Sequence, residues 1–169
     1  MKIGVISDSH DNMPAIRAAL DFFAAEKVGA MIHAGDIVSP FAAKMVATFS
    51  SGPLHCIYGN NDGEKAGLAA ILKGIVPGPL QIELAGRRIV VEHWIDDVSP
   101  ALAAGADVVI TGHTHQVVND RKEGRAPTLI LNPGECCGWL TGVATVAILD
   151  TDSLSARIVT LSTGRAWKT

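Results

Sequence analysis

The stretch Val108-Val109-Ile110-Thr111-Gly112-His113-Thr114-His115 joins a short apolar run to two histidines that are separated by a single residue. The apolar run predicts a buried strand, and Gly112 allows the chain to bend directly after it. In open α/β sheets, the loops at the carboxyl ends of parallel strands form the binding sites. Two imidazoles at such an end suit a metal ion, but any extended segment also places residues i and i+2 on one face. The interpretation therefore depends on whether other strand ends supply further ligands.

The composition is typical of a compact α/β protein. The chain has 169 residues, of which 48% are hydrophobic and only 5% aromatic, so a large core must be built from aliphatic side chains. We expect one domain over residues 1–169. The formal net charge of -3 predicts no extended basic surface for nucleic acid, and no apolar run approaches the roughly 18 residues of a membrane span.

Cysteine usage indicates a reducing compartment. Cys56, Cys136 and Cys137 form no recognisable disulfide framework, and the N-terminus has no signal-peptide pattern. We therefore expect a cytoplasmic protein with reduced thiols. The adjacent Cys136 and Cys137 offer metal ligands, but we interpret them as two small loop residues.

The order of the predicted elements indicates parallel strands first and hairpins later. Over the first sixty residues, the sequence predicts strands at 2–7, 30–33 and 54–58 and helices at 13–27 and 39–49. This alternation indicates parallel strands joined by right-handed crossovers. The remainder predicts a mixed arrangement, with two sheets packed face to face and helices outside. Its elements are a hairpin at 80–84 and 87–92, a helix at 99–104, and strands at 108–111, 116–120, 128–131, 143–150 and 155–161.

Side chains able to bind a metal follow most of these strands. Each has a simpler explanation as a helix cap, a turn residue or a loop hydrogen bond, but their joint placement at strand ends favours a metal site. The set exceeds the about four to six ligands that one ion uses, so two ions sharing a carboxylate fit it better. Mixed oxygen and imidazole donors favour Mn, Fe(II), Ni, Co or Zn over Ca. The candidate ligands are Asp8, His10, Asp36, Asn60, His93, His113 and His115.

The ordered motifs Asp-x-His, Gly-Asp, Gly-Asn-x-Asp, a lone His and Gly-His-x-His resemble the calcineurin-like metallophosphoesterase family over residues 2–115. Asn132-Pro133-Gly134 is similar to the small prokaryotic phosphodiesterase branch of that family. The resemblance implies a four-layer α/β/β/α sandwich with two packed mixed sheets. It also implies a centre of two divalent transition metal ions, for which we expect manganese first. One ion would take Asp8, His10, Asp36 and His115, and the other Asp36, Asn60, His93 and His113, so that Asp36 bridges.

One departure from the family pattern affects the expected chemistry. Much of the family has Gly-Asn-His-Asp, where the His acts on the leaving group and the final Asp orients it, but Asn61 stands here before Asp62. The resemblance then implies a catalytic set of Asp36, Asn60, Asn61 and His93 without a proton donor at position 61. Leaving groups of low pKa, as in aryl phosphodiesters, should react best.

Other departures lie around the expected site. Trp94 follows His93 where the family commonly has Gly, which predicts a narrower mouth or an apolar wall for a substrate. Glu135-Cys136-Cys137 stands where relatives often have Ser, and the sequence assigns it no role. His33 and His55 lie inside strands and are interpreted as structural, with His33 close enough to Asp36 to support it.

The function predicted first is a metal-dependent phosphodiesterase, which hydrolyses a small phosphoester with a hydroxide held by two metals. One alternative is a non-catalytic metal-binding scaffold of the same fold, as in the retromer subunit, which resembles this family but has lost part of its metal set. The complete ligand set favours the enzyme. A narrower alternative is a hydrolase specific for a cyclic nucleotide or a dinucleoside polyphosphate. A homodimer is a further expectation.

Overall fold

Two five-stranded sheets make up the centre of the structure, a computed structural model that describes residues 1–122 and 127–162. Helices cover the outer face of each sheet, so the predicted four-layer α/β/β/α sandwich is confirmed. The predicted domain, 1–169, also includes residues 123–126 and 163–169, which lie outside the described residues. In chain order the elements are β1 (Lys2–Ile6), α1 (Met13–Ala25), β2 (Ala30–His33), α2 (Pro40–Val46), β3 (Leu54–Cys56), α3 (Lys65–Ile71), β4 (Leu80–Leu84), β5 (Arg87–Val91), a 3-10 turn (Ile95–Asp97), α4 (Pro100–Ala104), β6 (Val108–Ile110), β7 (Val117–Lys122), β8 (Thr128–Pro133), β9 (Thr145–Asp150) and β10 (Ser155–Thr160).

The first sheet has the order β10-β9-β1-β2-β3. Strands β1, β2 and β3 are parallel and aligned, with Ile6 beside His33 and His33 beside Cys56. Strands β9 and β10 extend the sheet antiparallel to β1 and to each other. The loops that follow β1, β2 and β3 therefore leave the sheet at the same edge.

The second sheet has the order β4-β5-β6-β8-β7. Strands β5, β6 and β8 are parallel, with Val91 beside Ile110 and Ile110 beside Leu131. Strands β4 and β7 pair antiparallel at the two edges. The loops after β5, β6 and β8 consequently share one edge, as do those of the first sheet.

Three apolar layers hold the sheets and helices together. The central layer lies between the two sheets and contains fully buried residues of both, such as Val5, Ile32 and Ile110. A second layer packs α1, α2 and α3 on the first sheet around Phe23, and a smaller third layer packs α4 on the second sheet. Among the described residues, none of the helices combines the length and the apolarity that a membrane crossing requires.

Most predicted elements are confirmed with shorter bounds. Helix α1 begins after Asn12, whose side-chain oxygen accepts a hydrogen bond from the Ala15 N–H at 3.2 Å, and it ends at Ala25 instead of 27. Helix α3 was not predicted, because its seven residues include Gly67 and no side chain caps its first turn. The hairpin turn has positive φ at both Ala85 and Gly86, at 50° and 72°, as a two-residue turn of type I′ requires.

Candidate metal centre

The seven predicted ligands lie together where the carboxyl edges of the two sheets meet. Main-chain hydrogen bonds join the loops within each sheet, as from the Ser9 N–H to the Asp36 carbonyl at 3.0 Å. The sheets are joined by the His113 N–H, which donates to the Asp8 carboxylate at 3.2 Å, and by His93 Nδ1, which lies 2.8 Å from the Ala34 carbonyl. The ligand loops are therefore tied to each other before any ion binds.

The ligand atoms fall into two groups. In the first, Asp8 Oδ1 lies 3.4 Å from His115 Nε2 and 3.9 Å from His10 Nε2. In the second, Asn60 Oδ1 lies 3.0 Å from His93 Nε2 and 2.8 Å from His113 Nδ1. The two groups correspond to the division that the family resemblance implies, and they adjoin each other, because ligand atoms of Asp8, Asp36 and His93 also lie within 4.8 Å of one another.

Asp36 lies between the two groups. Its Oδ2 atom is 3.5 Å from His10 Nε2 on one side and 3.3 Å from His93 Nε2 on the other. One carboxylate oxygen is thus within reach of a donor from each group. This is the position that a bridging ligand has to occupy.

The donor atoms fit divalent cations. Two donors bound to one ion at about 2.1 Å lie roughly 3.0–3.4 Å apart, close to the separations found here. His10 Nε2 is buried and has no hydrogen-bond partner among the described residues. A buried imidazole nitrogen without a partner is costly, and a bound cation would satisfy it.

The charge distribution also favours a cation. Burial raises the pKa of Asp8, even though the imidazoles of His93 and His115 oppose that shift. Burial also tends to raise the pKa of Asp36. Hydrogen bonds from His93 and Asn61 have the larger, opposite effect, and they hold the pKa of Asp36 well below its usual range. Within residues 1–122 and 127–162, no lysine or arginine pairs with Asp8 or Asp36, so a bound cation would supply the missing positive charge.

Backbone strain is concentrated at the same edge. Left-handed φ values are uncommon for residues other than glycine, although Asp and His tolerate them better than most. A cluster of them in non-glycine residues is characteristic of positions held for function. The five ligands with φ between 38° and 66° are Asp8, His10, Asp36, His113 and His115.

Gly112 is required for close packing. A Cβ atom there would overlap Ser7 Oγ and lie 2.7 Å from Asp8 Oδ2. Its φ lies outside the left-handed region, and the turn conformation is instead taken up by His113, with φ at 66°. The sequence-based reason for a glycine at this position, a bend, was incomplete.

The two residues after Asn60 stabilise Asp36 and its loop. The Asn61 main-chain N–H donates to Asp36 Oδ1 at 2.8 Å, and its side-chain Nδ2 donates to Asp36 Oδ2 at 2.7 Å. The buried Asp62 carboxylate accepts main-chain hydrogen bonds from Asp36, Ile37, Val38 and Gly59 at 2.7–3.1 Å. Both oxygens of Asp62 thus accept main-chain hydrogen bonds, whereas the family pattern gives this Asp the role of orienting the side chain before it.

Glu135 contacts a candidate ligand, and the sequence left it without a role. Its Oε2 lies 2.7 Å from His115 Nδ1, and its carboxylate accepts hydrogen bonds from the main chain of Leu140 and Thr141 and from the Thr141 hydroxyl. Burial opposes its ionisation, but these hydrogen bonds lower the pKa of Glu135 to about 2. An ionised acceptor at Nδ1 keeps the proton on that nitrogen and leaves Nε2 free to face Asp8.

The remaining candidates have structural environments. His33 is fully buried with its Nε2 at 2.9 Å from Ser9 Oγ, and burial lowers its pKa to about 3, so it is neutral. His55 is half-buried at the edge of the first sheet. Cys136 and Cys137 are buried free thiols behind the Asp8 loop, where the Cys137 N–H donates to the Asp8 carbonyl at 3.0 Å.

Comparison with known proteins agrees with this geometry. Residues 1–154 match the family model described as the calcineurin-like phosphoesterase superfamily domain. A phosphodiesterase of Methanocaldococcus jannaschii is 38% identical over 95% of this chain and 99% of its own, and a probable metallophosphoesterase of Methanothermobacter thermautotrophicus is 32% identical over 94% and 92%.

The solved structures that resemble this chain also include phosphoesterases. The structure of an archaeal phosphodiesterase, 38% identical, superposes with a TM-score of 0.83 over 95% of this chain and all of its own. The fold alone is shared with Yfce, a phosphoesterase from E. coli, at 21% identity and a TM-score of 0.72 over 96% of this chain and all of that one. The ligand geometry, the family model and the relatives agree, and the chain belongs to the calcineurin-like phosphoesterase superfamily.

Proposed function

We propose that this protein is a metal-dependent phosphodiesterase with two divalent cations held by the seven ligands. The observation that carries the proposal is the position of Asp36 Oδ2, within 3.5 Å of His10 Nε2 and 3.3 Å of His93 Nε2. One ion would take Asp8, His10, Asp36 and His115, and the other Asp36, Asn60, His93 and His113. Two divalent cations in such a site supply an activated water nucleophile and stabilise charge on phosphate oxygens.

The protein side chains position the substrate and the bridging carboxylate. Asn60 directs its Oδ1 toward His93 and His113, and in the described part of the chain its Nδ2 has no partner. That N–H₂ group is free to donate a hydrogen bond to a phosphate oxygen. Asn61 holds Asp36 Oδ2 in place through its side-chain amide. Both amides thus support binding and orientation, and neither can donate a proton as a general acid.

The absence of an acid at position 61 determines which phosphoesters should react. The leaving group has to depart as an anion, so a leaving group of low pKa is favoured. No lysine or arginine in the described residues pairs with the carboxylates of the centre, so the charge on a bound phosphate would be met by the two cations. A singly charged aryl phosphodiester is therefore the preferred class over an alkyl monoester.

The test uses protein stripped of metal with a chelator and then reloaded. Bis(4-nitrophenyl) phosphate should be hydrolysed only after reloading, and faster than 4-nitrophenyl phosphate, with two ions per chain by elemental analysis. Arg17→Ala is the control variant, because Arg17 lies on the exposed face of α1 and pairs only with Asp21 among the described residues, at 3.9 Å. Two bound ions without any turnover would contradict the proposal and favour a metal-binding scaffold.

Three finer statements belong to the same proposal. We place manganese first among the metals, and reloading with Mn(II), Ni(II), Co(II), Fe(II) or Zn(II) in parallel tests that order. We place the protein in the cytoplasm, on the support of its three free thiols. A homodimer remains a prediction, for which light scattering of the purified protein is the measurement.

A further inference from the structure

Two exposed tryptophans lie beside the metal centre, each next to a different candidate ligand. The ring of Trp94 lies 4.8 Å from that of His113, at an interplanar angle of 34°. The ring of Trp139 lies 6.5 Å from that of His10, at 27°. His113 and His10 belong to different ligand groups, so each indole borders a different half of the centre.

Both indoles present apolar surface to solvent beside a polar site. Trp94 is 46% exposed and Trp139 is 57% exposed. Leu140 and Val143, which are also exposed, lie in the same loop as Trp139. Large exposed apolar side chains that cluster at a site commonly mark a binding surface. Here the two indoles lie beside His113 and His10, so they are within the surroundings of a phosphate group bound at the centre.

The main chain that carries each indole is held by its surroundings. The Trp94 carbonyl accepts a hydrogen bond from the Asp97 N–H at 3.1 Å, and the following Ile95 packs into the layer under α4. The loop that carries Trp139 is tied down by Glu135, which accepts the Leu140 N–H at 3.0 Å. A surface that is already ordered loses little conformational entropy when a ligand stacks on it.

Building on the proposed phosphodiesterase activity, we propose that Trp94 and Trp139 determine specificity by stacking on flat aromatic groups, aryl or nucleobase, carried by the two ester arms of the substrate. The two arms of a phosphodiester leave phosphorus in different directions, and there is one indole beside each half of the centre. One indole receives the leaving group and the other receives the retained arm. Stacking of this kind corresponds to about 5- to 100-fold in affinity for each ring.

The kinetic test uses three diesters that share 4-nitrophenolate as leaving group and differ in the retained arm, which is methyl, phenyl or thymidin-5′-yl. The variants are Trp94→Leu and Trp139→Leu, with Phe41→Leu as matched control, since Phe41 is an exposed aromatic residue whose ring lies beside Lys44 on α2. Metal content is equalised by elemental analysis. In the wild type, kcat/KM should favour the phenyl and thymidinyl esters over the methyl ester, and their ranking distinguishes aryl from nucleobase.

The two tryptophan variants should behave differently. One should lower kcat/KM for all three diesters alike, because its indole contacts the nitrophenyl group. The other should lower it about 5- to 100-fold for the phenyl and thymidinyl esters and spare the methyl ester. Equal kcat/KM for all three diesters in the wild type, or an equal loss on all three in both variants, would overturn the proposal. If the wild type with two metals bound hydrolyses none of them, the proposed function fails instead.

A binding measurement tests the stacking without catalysis. Diphenylphosphinate and dimethylphosphinate carry no ester bond, so calorimetric titration reports affinity alone. The diphenyl compound should bind more tightly to the wild type and lose about 5- to 100-fold in each leucine variant, whereas affinity for the dimethyl compound should not change. Trp94→Phe and Trp139→Phe should restore most of the loss. Unchanged affinity for diphenylphosphinate in both leucine variants would refute the role of the indoles.

Discussion

Replacing Glu135 with Gln tests how the protein prepares a metal ligand. The carboxylate faces His115 Nδ1 at 2.7 Å on one oxygen and accepts the Thr141 hydroxyl at 2.7 Å on the other. If Gln keeps its oxygen toward Thr141, its N–H₂ group faces Nδ1. The imidazole must then accept at Nδ1 and carry its proton on Nε2, the atom that points to Asp8.

A protonated Nε2 cannot bind a cation, so the ion held by Asp8, His10, Asp36 and His115 should bind more weakly. Loss of a carboxylate behind a ligating histidine typically costs 10- to 100-fold in metal affinity, or about 1.4–2.7 kcal/mol. The other ion should keep its affinity, because its ligands do not contact Glu135. Titration of the stripped protein with Mn(II) against a chromophoric chelator measures both affinities.

Thr141→Val is the matched control. It removes a hydrogen bond to Glu135 without changing the group that faces His115, so metal affinity should stay near that of the wild type. If Glu135→Gln bound both ions as tightly as the wild type, the reasoning about the imidazole proton would be refuted. Urea unfolding of both stripped proteins separates this effect from stability, since a buried donor left without a partner costs about 1–3 kcal/mol by itself.

The lowered pKa of Glu135 predicts how its contribution to the free energy of unfolding changes with pH. The value is lowered from 4.5 to about 2 in the folded protein. A lowered pKa means that the ionised group stabilises the fold above pH 4.5 and that this stability is lost as the pH falls toward 2. The difference in unfolding free energy between wild type and Glu135→Gln, measured by urea unfolding, should therefore narrow from pH 5 to pH 3. A constant difference would contradict the assignment.

Three further outcomes are expected. Asp36→Asn removes the charge shared by both halves of the centre, so both ions should weaken together in the chelator titration; loss of only one ion would contradict bridging. Asn61→His should raise the ratio of kcat/KM for an alkyl monoester to kcat/KM for an aryl diester. Because the Asp62 carboxylate already binds the backbone, the gain should lie near the lower end of the about 10²–10⁴-fold range of general acid catalysis. An unchanged ratio at equal metal content would show that residue 61 does not face the leaving group. Burial raises the pKa of Cys56 and Cys137 to about 12 and raises the pKa of Cys136 still more. Ellman's reagent at pH 8 should therefore modify fewer than one thiol per native chain, and all three thiols in urea. Fast reaction of a thiol in the native protein would contradict the buried environment.

The ligand positions could be predicted from the sequence because they depend on local order along the chain. Strands β1, β2 and β3 follow one another through helices, which makes them parallel, and parallel strands end at one edge. Errors of one or two residues at strand ends, as for β3, did not move Asn60 out of the loop that follows. The pairing of ligands into two groups came from the family resemblance, and the distances around Asp36 agree with it.

The supporting contacts could not be predicted in the same way, because they depend on how distant segments pack. Glu135 meets His115 across 20 residues of sequence, and no local pattern relates the two. The family pattern relates Asp62 to the residue before it, and no local pattern indicates that its carboxylate binds main-chain groups of another loop. Each contact is decided by the path of the backbone between the strands, which residue types alone do not specify.

On the proposed roles of Glu135 and Trp139, the loop at residues 134–144 connects metal binding to substrate selection. It carries Glu135 behind the ligand His115, places the Cys137 N–H on the Asp8 carbonyl, and presents Trp139 beside His10. Because one short segment does all three, a change within it can alter metal affinity, substrate preference or both. The two properties separate by residue: Glu135 is buried and contacts a candidate ligand, whereas Trp139 is exposed and donates no side-chain hydrogen bond to the candidate ligands in the described structure. Differences in specificity between relatives with the same seven ligands should thus be sought at positions equivalent to 94 and 139, and differences in metal affinity at 135.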